Sequence, residues 1–350
     1  MPTSGPILLD ARDIYAAPLR GCGRYALELS RRLPPDLVTV FTGPTRGPDV
    51  LAEQIVLPLV AWRTKARVVH APNCFLPLVR RAAGVVSIHD LAFEAYPDDF
   101  SARTGTKYRW ITPRAARSAQ RVLVGSRATA EDLIARYGVD ERKLRVIPYA
   151  PSLPVGDAPL PAWLGPVPDG AADPRAQPYL LAVGDLRAKK NLARVVAAWG
   201  ALRADGLTDH RLVLAGHGDI AALGLPPGAP LPDGLHVTGY LADEELDAVM
   251  RGAALVVHAS LYEGFGLVVA EAMVRGAPVV IADATSLPEV AGGAAELFDP
   301  HDVDDLAAAI LRALVPQRAA QLRALGLVRA QAFSWQATAD ATADVYRELL

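Results

Sequence analysis

The sequence predicts an α/β protein made of two doubly wound parallel-sheet domains, on three observations. Its 350 residues exceed what one hydrophobic core usually supports, which favours two domains of roughly 150 residues each. Short apolar runs that end in Gly, Ser, His or Asp alternate with longer Ala/Leu/Arg-rich segments of helical period, the pattern of βαβ units. Between two groups of such runs lie residues 151–178, whose many prolines and glycines suit neither a helix interior nor a central strand.

In chain order the first group of strands is Ile7–Asp10, Val38–Thr42, Arg67–Ala71, Val85–His89, Val122–Ser126 and Leu144–Pro148. The second is Tyr179–Gly184, Arg211–Gly216, Leu235–Gly239, Leu255–Ala259, Pro278–Ala282 and Ala295–Phe298. These place an N-terminal Rossmann-like domain over 1–165 and a C-terminal one over 175–334. Ligands of such sheets sit beyond the carboxyl ends of the strands, so chemistry is sought in the residues just after each run.

The bulk composition narrows the function classes. A net charge of −2 gives no overall attraction to nucleic acid, and none is expected as a partner. Cys22 and Cys74 have no metal spacing, and with no basic-plus-apolar leader the expected setting is reducing and cytoplasmic. No apolar stretch approaches the roughly 20 residues of a membrane span. Gly21-Cys22-Gly23 begins some ten residues beyond the first strand, too far for a dinucleotide fingerprint, so NAD is not expected. Asp302-Val303-Asp304 opens a helical segment and reads as a helix cap, leaving no metal ligand set and no cofactor.

The informative segment is SLYEGFGLVVAEAMVRGAPVV, where Glu263 and Glu271 bracket a Gly-Phe-Gly turn. A helix starting near Gly266 offers free N–H groups and a positive dipole end to a diphosphate, and the glycines let the backbone approach it. Carboxylates accept from sugar hydroxyls, and Glu271, embedded in LVVAEAMV, costs free energy unless partnered. After the strand Tyr179–Gly184, Lys189 and Lys190 supply fixed positive charge for a leaving nucleoside diphosphate. Together these fit a nucleotide sugar as co-substrate.

With those residues the chain resembles the retaining glycosyltransferases of family 4, which have the GT-B fold, two Rossmann-like domains facing each other across a cleft. The likeness covers nearly the whole chain and is most specific from His236 to Val280. It implies that Glu263 contacts the donor sugar, Glu271 the ribose, and Gly264, Phe265, Gly266 and Leu267 the phosphates. It also implies that Lys189 and Lys190, beside Gly184, bind the diphosphate, with Lys189 standing where relatives usually have Arg and so lacking its planar fork. The base is expected against backbone near Gly239, Tyr240 and Leu241. In the first domain the resemblance carries a glycine-rich loop near donor and acceptor to Gly21 and Gly23, and a histidine near the transferred sugar to His89. It folds the segment Trp335–Leu350 back onto the first domain.

The expected activity is metal-independent hexosyl transfer with retention, from a nucleotide-diphosphate sugar to a glycan, lipid-linked or natural-product hydroxyl. Same-face displacement needs no enzymic nucleophile, and His89, Glu263 and Lys190 bind and polarise. The alternatives are a nucleotide-sugar epimerase of the same architecture and a non-catalytic bilobal sugar-binding protein. One further stretch, with Arg103, Lys107, Arg109, Arg114, Arg117, Arg121 and Arg127 and no acid, reads as a solvated face or a patch for an anionic acceptor or peripheral membrane contact, with Pro113 expected to interrupt its helix.

Overall fold

The structure, a computed structural model, describes residues 5–15, 19, 21–43, 49–164, 178–226, 228 and 230–350. The chain divides into two compact units, residues 1–150 with Phe333–Leu350, and Pro151–Ala332. Each holds a six-stranded, fully parallel sheet. The first contains β1 (Ile7–Asp10), β2 (Val38–Phe41), β3 (Val68–Ala71), β4 (Ala83–Ser87), β5 (Arg121–Val124) and β6 (Leu144–Val146), in the order β2-β1-β3-β4-β5-β6. The second contains β7 (Tyr179–Val183), β8 (Arg211–Ala215), β9 (Leu235–Gly239), β10 (Leu255–His258), β11 (Val279–Ala282) and β12 (Glu296–Phe298), in the order β12-β11-β10-β7-β8-β9. All twelve expected runs are strands, with ends that differ by at most two residues; Ala83–Ser87 and Arg121–Val124 begin earlier than expected. The continuous apolar runs work because helices cover both faces: β1, β3, β10 and β11 are buried along their whole length.

The strand order reverses between β1 and β3 in the first sheet and between β7 and β10 in the second, so each unit has one crevice where neighbouring loops leave in opposite directions.

The first unit is closed by the helix Trp335–Arg347. Tyr346 Oη lies 2.6 Å from His70 Nδ1, His70 Nε2 lies 2.8 Å from Ser87 Oγ, and Ser87 Oγ lies 3.0 Å from Tyr25 Oη, which ties β3, β4 and the helix Gly21–Arg32 to that helix through a buried polar chain. Burial, with His89 nearby, lowers the His70 pKa from 6.5 to about 3. An unfolded chain therefore takes up a proton below pH 6.5 that the folded unit refuses, and stability present above that value is lost as pH falls toward 3. Between pH 7 and 5 the free energy of unfolding of this unit is expected to fall by up to about 1.4 kcal/mol per pH unit for this group. Urea titrations of the wild type and His70→Gln check it; equal pH slopes would count against the assignment.

Two expectations are corrected here. Residues 151–164 do not belong to the first domain: Gly156 N–H donates to Asp247 Oδ2 and Arg251 donates to Ala158 O, so this stretch packs with the second unit. The basic stretch forms no single face. Ala102–Ser118 is one helix with Pro113 inside it, and its cations go separate ways: Lys107 to Glu53 and the Phe75 ring, Arg109 to Phe93 O, Arg117 to Tyr137 O, while Arg121 lies on β5 and pairs with Glu348. Asp302 caps the helix Val303–Leu314, accepting from Asp304 and Asp305 N–H.

Candidate functional site

The β7/β10 crevice of the second unit gathers the strongest sequence candidates. From β7 the chain passes Gly184 into a short 3-10 turn, Ala188–Lys190, and Asn191 adopts the left-handed conformation (φ 57°) that an Asn tolerates before the helix Leu192–Ala204 begins. From β10 it passes through Glu263 to Gly266 (φ 95°), which caps the helix Leu267–Val274. The two loops are joined by Leu261 N–H donating to Lys189 O at 2.8 Å. Glu263 is clamped at its backbone, its N–H donating to Thr285 Oγ1 at 3.0 Å and its carbonyl accepting from Ser286 Oγ at 2.9 Å.

These constraints bring Lys190 Nζ to 2.5 Å from Glu263 Oε1, with the lysine stem lying across Gly184, where a Cβ would stand 3.1 Å from Lys190 Cδ and Cε. His258, the buried last residue of β10, places Nε2 at 3.3 Å from the same oxygen without forming a well-aligned hydrogen bond. Burial alone would raise the Glu263 pKa; Lys190, His258 and Lys189 outweigh it and hold the carboxyl well below its usual range. Burial lowers the His258 pKa despite Glu263, so the imidazole is neutral at pH 7. The crevice thus holds an ionised Glu263 carboxylate in contact with the Lys190 amino group, next to the helix-start N–H groups of Leu267 and Val268. Phe265 and Gly264 are buried beneath the turn, and Tyr240 and Leu241 follow β9, the former exposed and the latter buried.

Glu271 does not open onto the crevice in the same way. Its Oε1 accepts from Ser152 N–H at 2.5 Å and Leu153 N–H at 2.9 Å, and its Oε2 from Arg275 Nη1 at 2.6 Å. Arg275, with a fully buried side chain, also donates to Asp247 Oδ1, Glu271 O, Leu153 O and Pro154 O. The partner that a carboxylate in LVVAEAMV requires is therefore supplied by the protein, and one lone pair of Oε2 is left for a ligand.

In the first unit, His89 follows β4 with both ring nitrogens engaged. Nε2 lies 2.7 Å from Pro72 O, which can only accept, so Nε2 carries the proton and Nδ1 accepts from Tyr149 Oη at 2.9 Å. Burial lowers its pKa as well. Gly21 and Gly23 are not in a loop: they form the first turn of the helix Gly21–Arg32, and a Cβ on Gly23 would sit 2.6 Å from Asp13 O. Close backbone packing explains Gly23 there.

His258, Arg275 and Asp247 went unnoticed in the sequence. Two signals were legible: a histidine ending the apolar run LVVH, and an arginine four residues after Glu271, the spacing of a helical ion pair. Asp247 gives no such signal. Among the described residues no group of three or more His, Cys, Asp or Glu could hold a metal, and no helix is long and apolar enough to cross a membrane.

Comparison with known proteins extends the reading to both units. Residues 177–315 match the family described as "Glycosyl transferases group 1", and residues 19–150 match "Glycosyltransferase Family 4". The O-antigen chain mannosyltransferase B of Escherichia coli is 29% identical over 301 residues, 81% of this chain and 75% of its own. The MMP alpha-(1->4)-mannosyltransferase of Mycolicibacterium hassiacum is 28% identical over 341 residues, 90% and 78% of the two chains. Among solved structures, Anabaena HepE in complex with UDP and glucose superposes with TM-score 0.71 at 18% identity, covering 98% of this chain and 100% of its own. Sucrose-phosphate synthase of Thermosynechococcus elongatus gives TM-score 0.69 at 21% identity and 99% coverage of both. With glycosyltransferase families matched in each half and the two parallel sheets of the GT-B fold, this chain belongs to the family 4, group 1 glycosyltransferases.

Proposed function

We propose that this glycosyltransferase moves a hexose, mannose in the first instance, from a nucleoside-diphosphate donor to a sugar hydroxyl with retention of configuration and without a metal ion. The observation that carries the reading is the Lys190–Glu263 pair at the β7/β10 crevice beside the Gly266 helix start. Lys190 has three donors and spends one on Glu263, so it can offer the others to a diphosphate while the Leu267 and Val268 amides take the remaining charge. Glu263, held ionised, accepts from donor-sugar hydroxyls, and the spare lone pair of Glu271 Oε2 accepts from a ribose hydroxyl. Mannose is favoured by the relatives, two of which are named mannosyltransferases.

In the displacement, the bond between the anomeric carbon and the leaving phosphate oxygen breaks as the acceptor oxygen attacks on the same face. The acceptor proton passes to that phosphate oxygen. Lys190 and the helix-start amides stabilise the charge that develops there. His89, neutral and with both nitrogens occupied, positions rather than transfers protons.

The test is a donor panel of GDP-mannose, UDP-glucose, ADP-glucose and dTDP-glucose with methyl α-mannoside as acceptor, following nucleoside diphosphate release and product anomers by NMR. An α-linked product from an α-linked donor is expected; a β-linked product would refute retention, and no release from any donor would refute transfer. Turnover is expected to survive EDTA, because fixed cations do the work of a divalent ion. Loss that magnesium or manganese restores would refute metal independence alone.

A further inference from the structure

Glu263 is held from a turn on the neighbouring strand, and that turn contains a residue its own backbone angle disfavours. β11 pairs with β10, so the loop after β11 lies beside the one that bears Glu263. There Ala284 O accepts from Leu287 N–H at 3.1 Å, closing a tight turn whose central residues are Thr285, at φ 47°, and Ser286, at φ −83°. A positive then a negative φ is the pattern of a type II′ turn, whose first central position belongs to glycine. Among the described residues Lys65, Cys74, Asn191 and Thr285 are the non-glycines at positive φ, and only Thr285 is β-branched. Two substituents on Cβ crowd the backbone at that angle, so threonine costs free energy there that glycine would not.

Packing does not explain the choice, because Thr285 is exposed while Ser286 and Leu287 after it are buried. What threonine offers and glycine cannot is a hydroxyl: its Oγ1 accepts from Glu263 N–H at 3.0 Å. Ser286 Oγ donates to Glu263 O at 2.9 Å, so two consecutive hydroxyls grip the peptide groups on both sides of one Cα. Leu287 braces the same loop further on, its Cδ2 standing 2.7 Å from where a Cβ on Gly266 would lie. The backbone of Glu263 is thus fixed from a second strand while its carboxylate reaches Lys190. A disfavoured backbone angle persists only where its surroundings over-determine it, and such angles cluster where geometry must be exact for function.

We propose that Thr285 is a positioning residue for Glu263: its hydroxyl, aimed by the turn, fixes the Glu263 backbone so that the carboxylate meets the donor sugar. This rests on the reading of Glu263 as an acceptor for donor-sugar hydroxyls.

Substitutions at this one position separate the hydroxyl from the branch. Thr285→Ser keeps the hydroxyl and loses the methyl, Thr285→Val keeps the branch and loses the hydroxyl, and Thr285→Gly loses both. Melting temperature should follow the backbone: Thr285→Ser and Thr285→Gly at or above wild type, and Thr285→Val below it, with the branch kept and the Glu263 N–H left unpaired. Turnover should follow the hydroxyl. With the fastest donor of the panel and methyl α-mannoside, Thr285→Gly and Thr285→Val should lose about 10- to 100-fold, mainly in kcat, and Thr285→Ser no more than about threefold. Amide hydrogen exchange at Glu263, followed by mass spectrometry, should quicken in Thr285→Gly and Thr285→Val and stay slow in Thr285→Ser. A residue with a structural role alone would move turnover and melting together. Wild-type turnover in Thr285→Gly, a Thr285→Ser as poor as Thr285→Gly, or turnover that tracks melting across the series would overturn the proposal. Glu263→Ala tells the two readings apart: if it turns over like wild type, the donor-sugar reading fails and this one with it; if it is inactive while Thr285→Gly is not, this proposal alone fails.

Discussion

Arg275→Ala is expected to cost the second unit about 3–5 kcal/mol, because it leaves Glu271 and Asp247 as buried carboxylates without their common cation. Two further losses follow: the Leu153 and Pro154 carbonyls give up the donors that hold the start of the joining segment. Glu271→Ala should fall in the same range, since it strands the Arg275 cation and the Ser152 and Leu153 N–H groups. Glu271→Gln should cost less, keeping an acceptor for those N–H groups while facing Arg275 with donors. Urea unfolding of the second unit reads all three. Near-neutral effects from both alanine variants would mean that the cluster is not held as described. A consequence for assays is that lost nucleotide binding in Glu271→Ala says little about ribose unless stability is measured beside it.

Lys190→Ala should leave the fold intact and lower kcat/KM by about 10²–10³-fold, the loss seen when one fixed group that stabilises a leaving charge is removed. The side chain is 16% exposed at the crevice edge, and Glu263 keeps His258 and its backbone clamps, so a stability change beyond about 1–3 kcal/mol is not expected. Steady-state kinetics with the preferred donor, with thermal midpoints as control, decide the matter. If Lys190→Ala turns over like wild type, the leaving charge is stabilised elsewhere. In a double-mutant cycle, Lys190→Ala and Glu263→Ala should be strongly non-additive, since each side chain holds the other in place.

How much of this was readable before the structure depended on the range of the interactions. All twelve strands were visible because a strand buried on both faces is written as a local apolar run, and the Gly266 helix start because a positive φ is written as glycine. Lys190 and Glu263 were visible as residue types at strand ends. Their contact depends on β7 and β10 being neighbours, a fact of strand order that no local pattern carries. Arg117 and Lys107 went wrong for the same reason: a run of cations without an acid suggested one shared face, while Tyr137 and Glu53, distant in sequence, draw them apart. The Pro113 helix persists because its neighbours Ile111, Thr112, Ala115 and Ala116 are buried, and tertiary packing outweighs one missing backbone bond. Glu271 shows the limit of an energetic argument from composition: the need for a partner was correctly inferred, but whether ligand or protein would meet it was not.

The closing helix of the first unit has a consequence for the order of events during synthesis. Tyr25, Tyr149 and His70 pack against Trp335 and Tyr346, so the aromatic wall of this unit is completed by residues made nearly two hundred positions after β6. The second unit is contiguous from Pro151 to Ala332 and has every strand of its sheet before then. On the ribosome, where domains fold as they emerge, the later-encoded unit can therefore reach its native core first, while in the earlier one His70 Nδ1 waits for its Tyr346 partner until Trp335–Arg347 leaves the exit tunnel.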